Sequence, residues 1–400
     1  MSLVLNTNVD SMVAQNSLQT SGTQLASALQ QLSTGLRVNT AADDAAGYAI
    51  AQGMTSQVNG LNQAAQNAND GVSLTQTASG AMTEITNDLQ TMRDLAVESL
   101  NATNSSNDRA DLNAQYSQLA ADINNVAANT QFNGVNLLNG TFQGADFQIG
   151  ANAGQIISVA SIASNSTSAI GNYYTTAATT GAYADTTADA GNTASFDITV
   201  GTNATITTGP VTLTGNQATD LKSITSAINQ SLGSSDGIVA TVNAAGTGID
   251  LSTASGTAQN VTIALNASST STSSVNGLGL DTTYALGSAG GTAQNLSNTS
   301  VNSVDSSNLV LISIDNALQQ LATSSAQLGA YQNRFQAAIT GLNTTATNLS
   351  SAKSSIVDTN YAAATSSLSK AQILQQAGTA MVAQANTIPQ NILTLIQKLP

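Results

Sequence analysis

Both ends of this 400-residue chain carry apolar residues at the spacing of a narrow coiled-coil seam. Near the start, steps of seven, four, three and four separate Leu18, Leu25, Leu29, Leu32 and Leu36. Near the end, steps of four, three, four and three separate Met381, Ala385, Ile388, Ile392 and Leu395. A narrow seam covers little of a helix surface, so each end requires a partner helix. That partner is either the other end of the same chain or a second copy of it.

An order-of-magnitude comparison predicts that a lone terminal helix is marginal. Burying five leucines contributes about 10 kcal/mol, at about 1.5–3 kcal/mol for each side chain. Fixing about 30 backbone residues costs about 30–60 kcal/mol, and isolated helices gain little net stability from their own hydrogen bonds. We therefore expect the ends to become ordered when copies of the chain assemble. Packing of the two seams inside a single chain is the alternative.

Long helical stripes lie next to the two ends. Apolar residues from Ile50 to Ala96 keep a 3.6-residue period, which predicts one helix of about 55 residues. Two further stripes, 112–126 and 314–356, predict two more helices. Between them, 145–149 and 155–159 read as a β-hairpin around Gly150–Gly154. Glycines at 53, 60, 71 and 80 lie inside the long stripe. Since each costs up to about 1 kcal/mol against alanine, they indicate close approach of neighbouring helices.

The middle of the chain has a different pattern. Short runs rich in β-branched residues predict strands, with one helix over Asp220–Leu232. The predicted strands are Ser195–Val200, Ala204–Thr208, Val211–Thr214, Ile238–Val242, Ile249–Ser252 and Val261–Leu265. The flanks, Tyr173–Asn192 and Ser268–Asn298, are so rich in Thr, Ser, Ala and Gly that their composition does not favour an ordered structure.

These patterns predict a mainly α chain with a β-rich insertion. Its long N- and C-terminal helices form a coiled-coil end and a rod-like helical bundle with a β-hairpin, and a small β-rich domain lies outside. We expect three domains. The terminal coiled-coil helices are 1–45 and 357–400, the bundle is 46–172 and 300–356, and the outer domain is 173–299.

Composition excludes several kinds of chemistry. The chain has no Cys and no His, so disulfides, thiolate and imidazole metal sites, and Ser-His-Asp or Cys-His catalysis are impossible. A net charge of −14 with only 8 basic residues does not favour nucleic-acid binding. No apolar run is long enough to span a membrane, and residues 1–11 do not resemble a Sec signal peptide. Asp43 and Asp44 are predicted to start a helix, in a capping box from Thr40, and not to form a catalytic carboxylate pair. We expect no cofactor and no enzymatic activity.

Several motifs, in order along the chain, resemble those of bacterial flagellin. On the N-terminal side these are Leu32–Asn39 followed by Asp43–Gly47, then Asn67–Gly71 and Thr130–Val135. On the C-terminal side they are Gln332–Phe335, Ala371–Gly378, Ala383–Asn386 and Pro389–Asn391. The resemblance covers about residues 1–160 and 305–400. The middle is similar only to a short motif shared by flagellins and hook-associated proteins, over Ile224–Asn229 and Gly237–Thr241.

The resemblance implies a structural subunit that polymerises with itself into the extracellular flagellar filament used for swimming. It implies that the two terminal seams form the innermost tube of the polymer, that the long helices form the next shell, and that the middle projects outward. It also implies export through the flagellar type III apparatus. Partners would be a secretion chaperone at the C-terminal helices, the filament cap and the hook-associated proteins. A hook–filament junction protein is the alternative, and an inserted zinc peptidase is excluded because its His pair is absent.

A further implication concerns the stretch that the vertebrate Toll-like receptor for flagellin recognises in this family. The matching positions are Leu89, Gln90, Thr91, Arg93 and Leu95, with Gln115 on the next helix. Strongly recognised members of the family are usually basic where Thr91 stands and acidic where Gln115 stands. We therefore expect weak activation of the receptor. An ordinary solvated helix face is the alternative interpretation of this stretch.

Overall fold

The computed structural model describes residues 7–177, 190–201, 203, 205–232, 237–243, 246–253, 259–266, 269, 282–286 and 292–397. The chain divides into two compact units. The first contains Met1–Asn69, Gln148–Ile156 and Ala337–Pro400, as far as these are described, and the second contains Asp70–Phe147 and Ile157–Gln336.

Six α-helices form most of the described chain. They are α1 (Val9–Thr34), α2 (Ala45–Ser99), α3 (Ser106–Asn129), α4 (Gln217–Leu232), α5 (Val304–Val357) and α6 (Tyr361–Gln397). The predicted helix of about 55 residues is confirmed, since α2 has 55 residues. Helix α6 continues through Pro389, although proline lacks a backbone donor. Among the described residues, none of these helices combines the length and apolar character that a membrane span requires.

Short strands lie between the helices. They are β1 (Gln131–Phe132), β2 (Val135–Asn136), β3 (Ala145–Gln148), β4 (Ile156–Val159), β5 (Tyr173–Ala177), β6 (Thr193–Ala194), β7 (Phe196–Val200), β8 (Ile206–Thr207), β9 (Val211–Thr212), β10 (Ile238–Val242), β11 (Ile249–Thr253), β12 (Gln259–Leu265), β13 (Thr282–Leu286) and β14 (Thr292–Gln294). Two four-stranded antiparallel sheets have the orders β10-β11-β5-β14 and β13-β12-β7-β8. The predicted hairpin is confirmed as the pair β3-β4.

In the first unit, α1 and α6 run antiparallel. The side-chain amide of Asn8, at the start of α1, donates to the carbonyl of Ala385 over 2.9 Å. At the other end of the pair, the N–H of Thr359 donates to the carbonyl of Gly35 over 2.9 Å. Gly35 ends α1 in the left-handed conformation, with φ 71°, which glycine adopts without strain. The segments that join α1 to α2 and α5 to α6 therefore lie against each other.

Leu36 belongs to this junction and not to α1, which ends at Thr34. Leu36 forms an isolated antiparallel bridge with Asp358 and packs against the buried side chains of Val38, Ala51 and Val357. Leu36 was predicted for the terminal seam because it follows Leu32 by four residues. The left-handed turn at Gly35 takes it out of the helix.

The start of α2 differs from the predicted capping box. Asp43 accepts hydrogen bonds from the backbone N–H groups of Asn39 and Thr40, at 3.0 and 2.8 Å, so it closes a turn before the helix. Those bonds hold the pKa of the Asp43 carboxyl below its usual range. Asp44 instead accepts from the N–H of Gly47 over 2.9 Å, which is the contact of an N-cap residue.

In the second unit, the buried face of α2 follows its predicted stripe. Met82, Ile85, Leu89 and Met92 are fully buried. Phe335 of α5 is also fully buried, and its ring packs edge to face on Phe147 of β3, with centroids 5.3 Å apart and planes at 83°. The ring lies over Gly71, where an added Cβ would be 2.5 Å from the nearest ring atom.

Close approach explains two of the four glycines in α2. An added Cβ on Gly71 would meet Phe335, and one on Gly60 would lie 2.9 Å from the Cβ of Ala151 in the hairpin loop. Gly53 and Gly80 have no atom within 4 Å of such a Cβ. The predicted approach of a second helix is therefore confirmed at Gly71, whose neighbour belongs to α5. It is wrong at Gly60, whose neighbour is a loop residue, and at Gly53 and Gly80.

The strand-rich region of the second unit has its own apolar core. Leu221, Ile224, Ile228 and Leu232 of α4 are buried against strand residues such as Phe196. Helix α4 and the six strands predicted in the middle are confirmed, with boundaries shifted by up to three residues. The flanks were expected to lack order, but parts of them form β5, β13 and β14. Residues 178–189 and most of 267–281 lie outside the described residues.

Candidate assembly surface

The side of α1 that faces α6 repeats at heptad spacing. Ser11, Ser21 and Ala28 are buried, and Leu18, Leu25 and Leu32 are half-buried between them. Positions 11, 18, 21, 25, 28 and 32 are separated by steps of seven, three, four, three and four, which is the spacing of a coiled-coil seam. Three of the five leucines predicted for this seam therefore line the contact between the two helices.

The facing side of α6 consists of small residues at steps of seven. Ala364, Ala371 and Ala385 are buried, and Gly378 is half-buried. A Cβ added to Gly378 would lie 3.2 Å from Cδ1 of Leu18. The leucines of α1 therefore fit over small residues of α6, and the two backbones approach closely. Ala385 was predicted for the seam, whereas Ala364, Ala371 and Gly378 were not.

Hydrogen bonds join α1 and α6 near the start of α1. Besides the bond from Asn8 to Ala385, the hydroxyl of Ser11 donates to the side-chain carbonyl of Asn386 over 2.8 Å. The side chain of Asn8 also accepts from the N–H of Ser11 over 3.0 Å and thereby caps α1. These polar contacts set the register of the two helices near the start of α1.

Large apolar side chains remain on the outside of the pair. Leu29 is 51% exposed, Ile373 65% and Met381 63%, and Val9, Met12, Val13 and Leu374 are also exposed. A groove of about 580 Å³ runs between the helices, lined by Val13, Ala14, Leu374, Ala377 and Met381 among others. Leu29 and Met381 were predicted as seam residues, but more than half of each side chain is exposed in the single chain. The side chains of Ile388, Ile392 and Leu395 lie outside the described residues.

Very little charge interrupts this apolar surface. Asp10 is the single charged residue in α1, and Lys370 is the single one in α6. Contact with a second apolar surface would therefore bury almost no charge, which removes the main cost of such a contact. The arrangement suits helix packing. Across the residues that the structure describes, no group of three or more acidic side chains is placed to hold a metal ion.

The receptor-like stretch, which is the segment from Leu89 to Leu95 together with Gln115 that matches the receptor-recognised part of the family, contains both buried and exposed residues. Leu89 and Leu95 are buried, whereas Gln90, Thr91 and Gln115 are exposed. Arg93 donates from Nε to Asp315 of α5 over 2.9 Å, in an ion pair of two partly exposed side chains. The hydrogen bond to Asp315 raises the pKa of the Arg93 guanidinium, and the negative charge of the same Asp315 carboxylate raises it further. A salt bridge at such an exposed position contributes little stability, about 0–1 kcal/mol.

Comparisons with known proteins find one family whose members match this chain along its length. The profile described as the bacterial flagellin N-terminal helical region matches residues 5–143, and that of the C-terminal helical region matches residues 311–396. Flagellin B of Vibrio cholerae is 36% identical over 399 residues, and B-type flagellin of Pseudomonas aeruginosa is 33% identical over 490. Both alignments cover 99% of this chain and all of the relative. Among solved structures, FliC from Burkholderia pseudomallei is 27% identical, with a TM-score of 0.39 over 66% of this chain and 99% of that one.

Proposed function

This chain belongs to the bacterial flagellin family, and we propose that the outward apolar face of its α1–α6 pair is where copies of the chain meet. As a flagellin it is a structural subunit of the extracellular flagellar filament, which drives motility. The observation that carries the proposal is the exposure of Leu29, Ile373 and Met381 on helices that have almost no charge. A single soluble chain gains nothing by leaving such a patch open to water.

The proposed interface combines two sets of residues. Leu18, Leu25, Leu32 and Ala385 hold the two helices of one chain together, and Leu29 and Met381 face a neighbouring copy. We include Ile388, Ile392 and Leu395 in the interface on their sequence spacing alone. Leu36 acts through the junction, because it fixes the segment between α1 and α2 against Asp358.

Three structural regions follow from this proposal. Residues 1–45 and 357–400 would form the inner tube of the polymer, and 46–172 with 300–356 would form the surrounding shell. Residues 173–299 would form the outer domain. The separate apolar core of α4 and its sheets supports the assignment of 173–299 to an outer domain. This region buries its apolar side chains against one another, so it needs no neighbouring copy to cover them.

Partners of the chain before assembly would cover the same apolar face. A secretion chaperone at α6 would hide Ile373, Leu374 and Met381 from water until export. The filament cap and the hook-associated proteins would be the neighbours of the copies at the two ends of the polymer. The role remains structural in this proposal, and no catalytic step is assigned to the chain.

Polymer length distinguishes a filament subunit from a hook–filament junction protein. We expect purified chain to extend added filament seeds into fibres many times longer than the seeds, because a filament subunit presents the same apolar surface again after each addition. Electron microscopy of seeded and unseeded samples measures this directly. Growth that stops after a short segment on every seed would favour the junction protein.

The receptor-like stretch gives a second test. We propose weak activation of the Toll-like receptor for flagellin, because Thr91 is neutral and Arg93 is paired with Asp315. Thr91→Arg adds a cation at an exposed position and is expected to increase receptor signalling in a reporter cell assay. Thr77→Arg is the matched control, since Thr77 is also an exposed threonine of α2. Equal signalling from wild type and Thr91→Arg would show that Thr91 is not the cause.

A further inference from the structure

The sheet β10-β11-β5-β14 ends on one side at a strand that is long for an edge and carries no charge. β10 has five residues, and all of them are apolar or β-branched, with no proline among them. β14, at the other edge of the same sheet, has three residues. An uncharged strand of this composition, if its edge is open, pairs readily with a strand of another copy. The outward side of β10 therefore requires protection.

The backbone of Ala240 points toward this outward side. Just past the end of β10, the N–H of Asn243 donates to the carbonyl of Gly248, on the side of β11. Backbone groups of successive residues in a strand alternate in direction, so those of Ala240 point away from β11. A further antiparallel strand would both donate to the carbonyl of Ala240 and accept from its N–H.

The side chain of Asn229, on α4, makes both of these hydrogen bonds. Its amide nitrogen donates to the carbonyl of Ala240 over 2.8 Å, and its amide oxygen accepts from the N–H of Ala240 over 2.7 Å. One carboxamide thus occupies the donor and the acceptor that a residue of a neighbouring strand would use. Ala240 is the middle residue of β10, so a bond pair there interrupts any continuous ladder along the outward side.

The position of Asn229 on α4 explains why it reaches the edge. Ile224 and Ile228 of α4 are buried in the core that the helix shares with the sheets. Asn229 follows Ile228, about 100° further round the helix, and is half-buried. The sequence segments Ile224–Asn229 and Gly237–Thr241, which the proposed function does not use, therefore meet in this contact. The contact requires an amide, because a carboxylate only accepts hydrogen bonds and an aliphatic side chain makes none.

We propose that Asn229 takes the place of a neighbouring strand at Ala240 and so closes the edge of β10 against the same strand of a second copy of this chain. Assembly brings copies to a high effective concentration, which strengthens any second contact between them. The inference goes beyond the proposed function, because it concerns a contact that copies avoid. It does not depend on the α1–α6 surface.

Sedimentation velocity of the dilute full chain, below the threshold for fibre growth, tests this closure. We expect a single species for wild type. Asn229→Leu keeps the size of the side chain and removes both hydrogen bonds, so it should form dimers and larger species. At its lowest concentration, the Ala240 amide should exchange hydrogen about tenfold faster than in wild type. Asn229→Asp loses the donor but adds a negative charge at the edge of every copy, so it should remain a single species.

Two controls separate an open edge from a weakened helix. Asn216 precedes α4, and its side-chain oxygen accepts from the N–H of Thr219 over 3.2 Å. Asn216→Ala removes this bond and should leave a single species, although it destabilises the start of α4. Val239→Lys, added to Asn229→Leu, places a charge on the edge strand itself and should restore the single species.

Each outcome decides for or against the closure. A single species in folded Asn229→Leu would overturn the proposal, and Asn229→Ala decides in the same way if the leucine variant does not fold. Unchanged exchange at Ala240 would overturn the two hydrogen bonds as the cause. Equal association of Asn216→Ala would assign the effect to a weakened α4. Association that Val239→Lys leaves unchanged would place the contact away from β10, and either result contradicts the proposal.

Discussion

Replacing Gly71 by alanine is expected to lower the free energy of unfolding by about 2–3 kcal/mol, since overpacking a buried site costs about 1–3 kcal/mol and this contact is severe. The new Cβ would lie 2.5–2.9 Å from three ring atoms of Phe335. That ring cannot easily move away, because it is fully buried and packs against Phe147. Thermal or urea unfolding followed by circular dichroism measures the change.

Gly80→Ala is the matched control on the same helix. No atom lies within 4 Å of the added Cβ, so the helix propensity of alanine should stabilise the chain by up to about 1 kcal/mol. The double variant Gly71→Ala with Phe335→Leu should recover part of the loss, since it removes the clash. Equal stability of the two single variants would contradict the packing described for Gly71.

Replacing Ile373 and Met381 together by glutamine is expected to raise the concentration needed for fibre growth by about a hundredfold or more. Each side chain contributes about 1.5–3 kcal/mol when it is buried, and 1.4 kcal/mol corresponds to a factor of ten. Both side chains are exposed in the single chain, so its own stability should change little. Sedimentation of fibres over a range of chain concentrations gives the threshold.

Ile373→Leu with Met381→Leu is the control for this pair of changes. It keeps the apolar surface and should keep the threshold within a few-fold of wild type, because volume-conserving apolar changes cost less than about 1.5 kcal/mol. An unchanged threshold in the glutamine variant would mean that neighbouring copies do not bury these side chains.

Much of the fold could be predicted from periodicity. The 3.6-residue stripe of α2 gave its length, and alternation of β-branched residues gave β10 to within a residue. The flanks that form β5, β13 and β14 could not be predicted in this way. Their threonine- and alanine-rich sequences become strands because they pair with neighbours distant in the chain, such as β11 with β5. Pairing partners, and not local composition, determine those strands.

The candidate surface was predictable only in outline. Heptad spacing located the terminal helices and the contacts of Leu18, Leu25 and Leu32. Heptad spacing did not show which apolar residues face the partner helix and which face solvent. A single helix carries two rows of apolar residues, and steps of three and four residues fit both rows. The small residues Ala364, Ala371 and Gly378 mark the line of α6 that faces inward, since both alanines are buried and Leu18 lies close to Gly378. Leu29 and Met381 are then left on the outside.

Thiol protection at position 381 tests most directly whether copies meet on this face. Met381→Cys would supply the sole thiol of the chain, and Gln230→Cys would supply one on the outer region as the control. We predict that the thiol at 381 reacts readily with a maleimide in the dilute chain and becomes protected in the fibre, whereas the thiol at 230 reacts at similar rates in both. Equal reactivity of the thiol at 381 in the dilute chain and in well-formed fibres would contradict the assignment of this face to subunit contact.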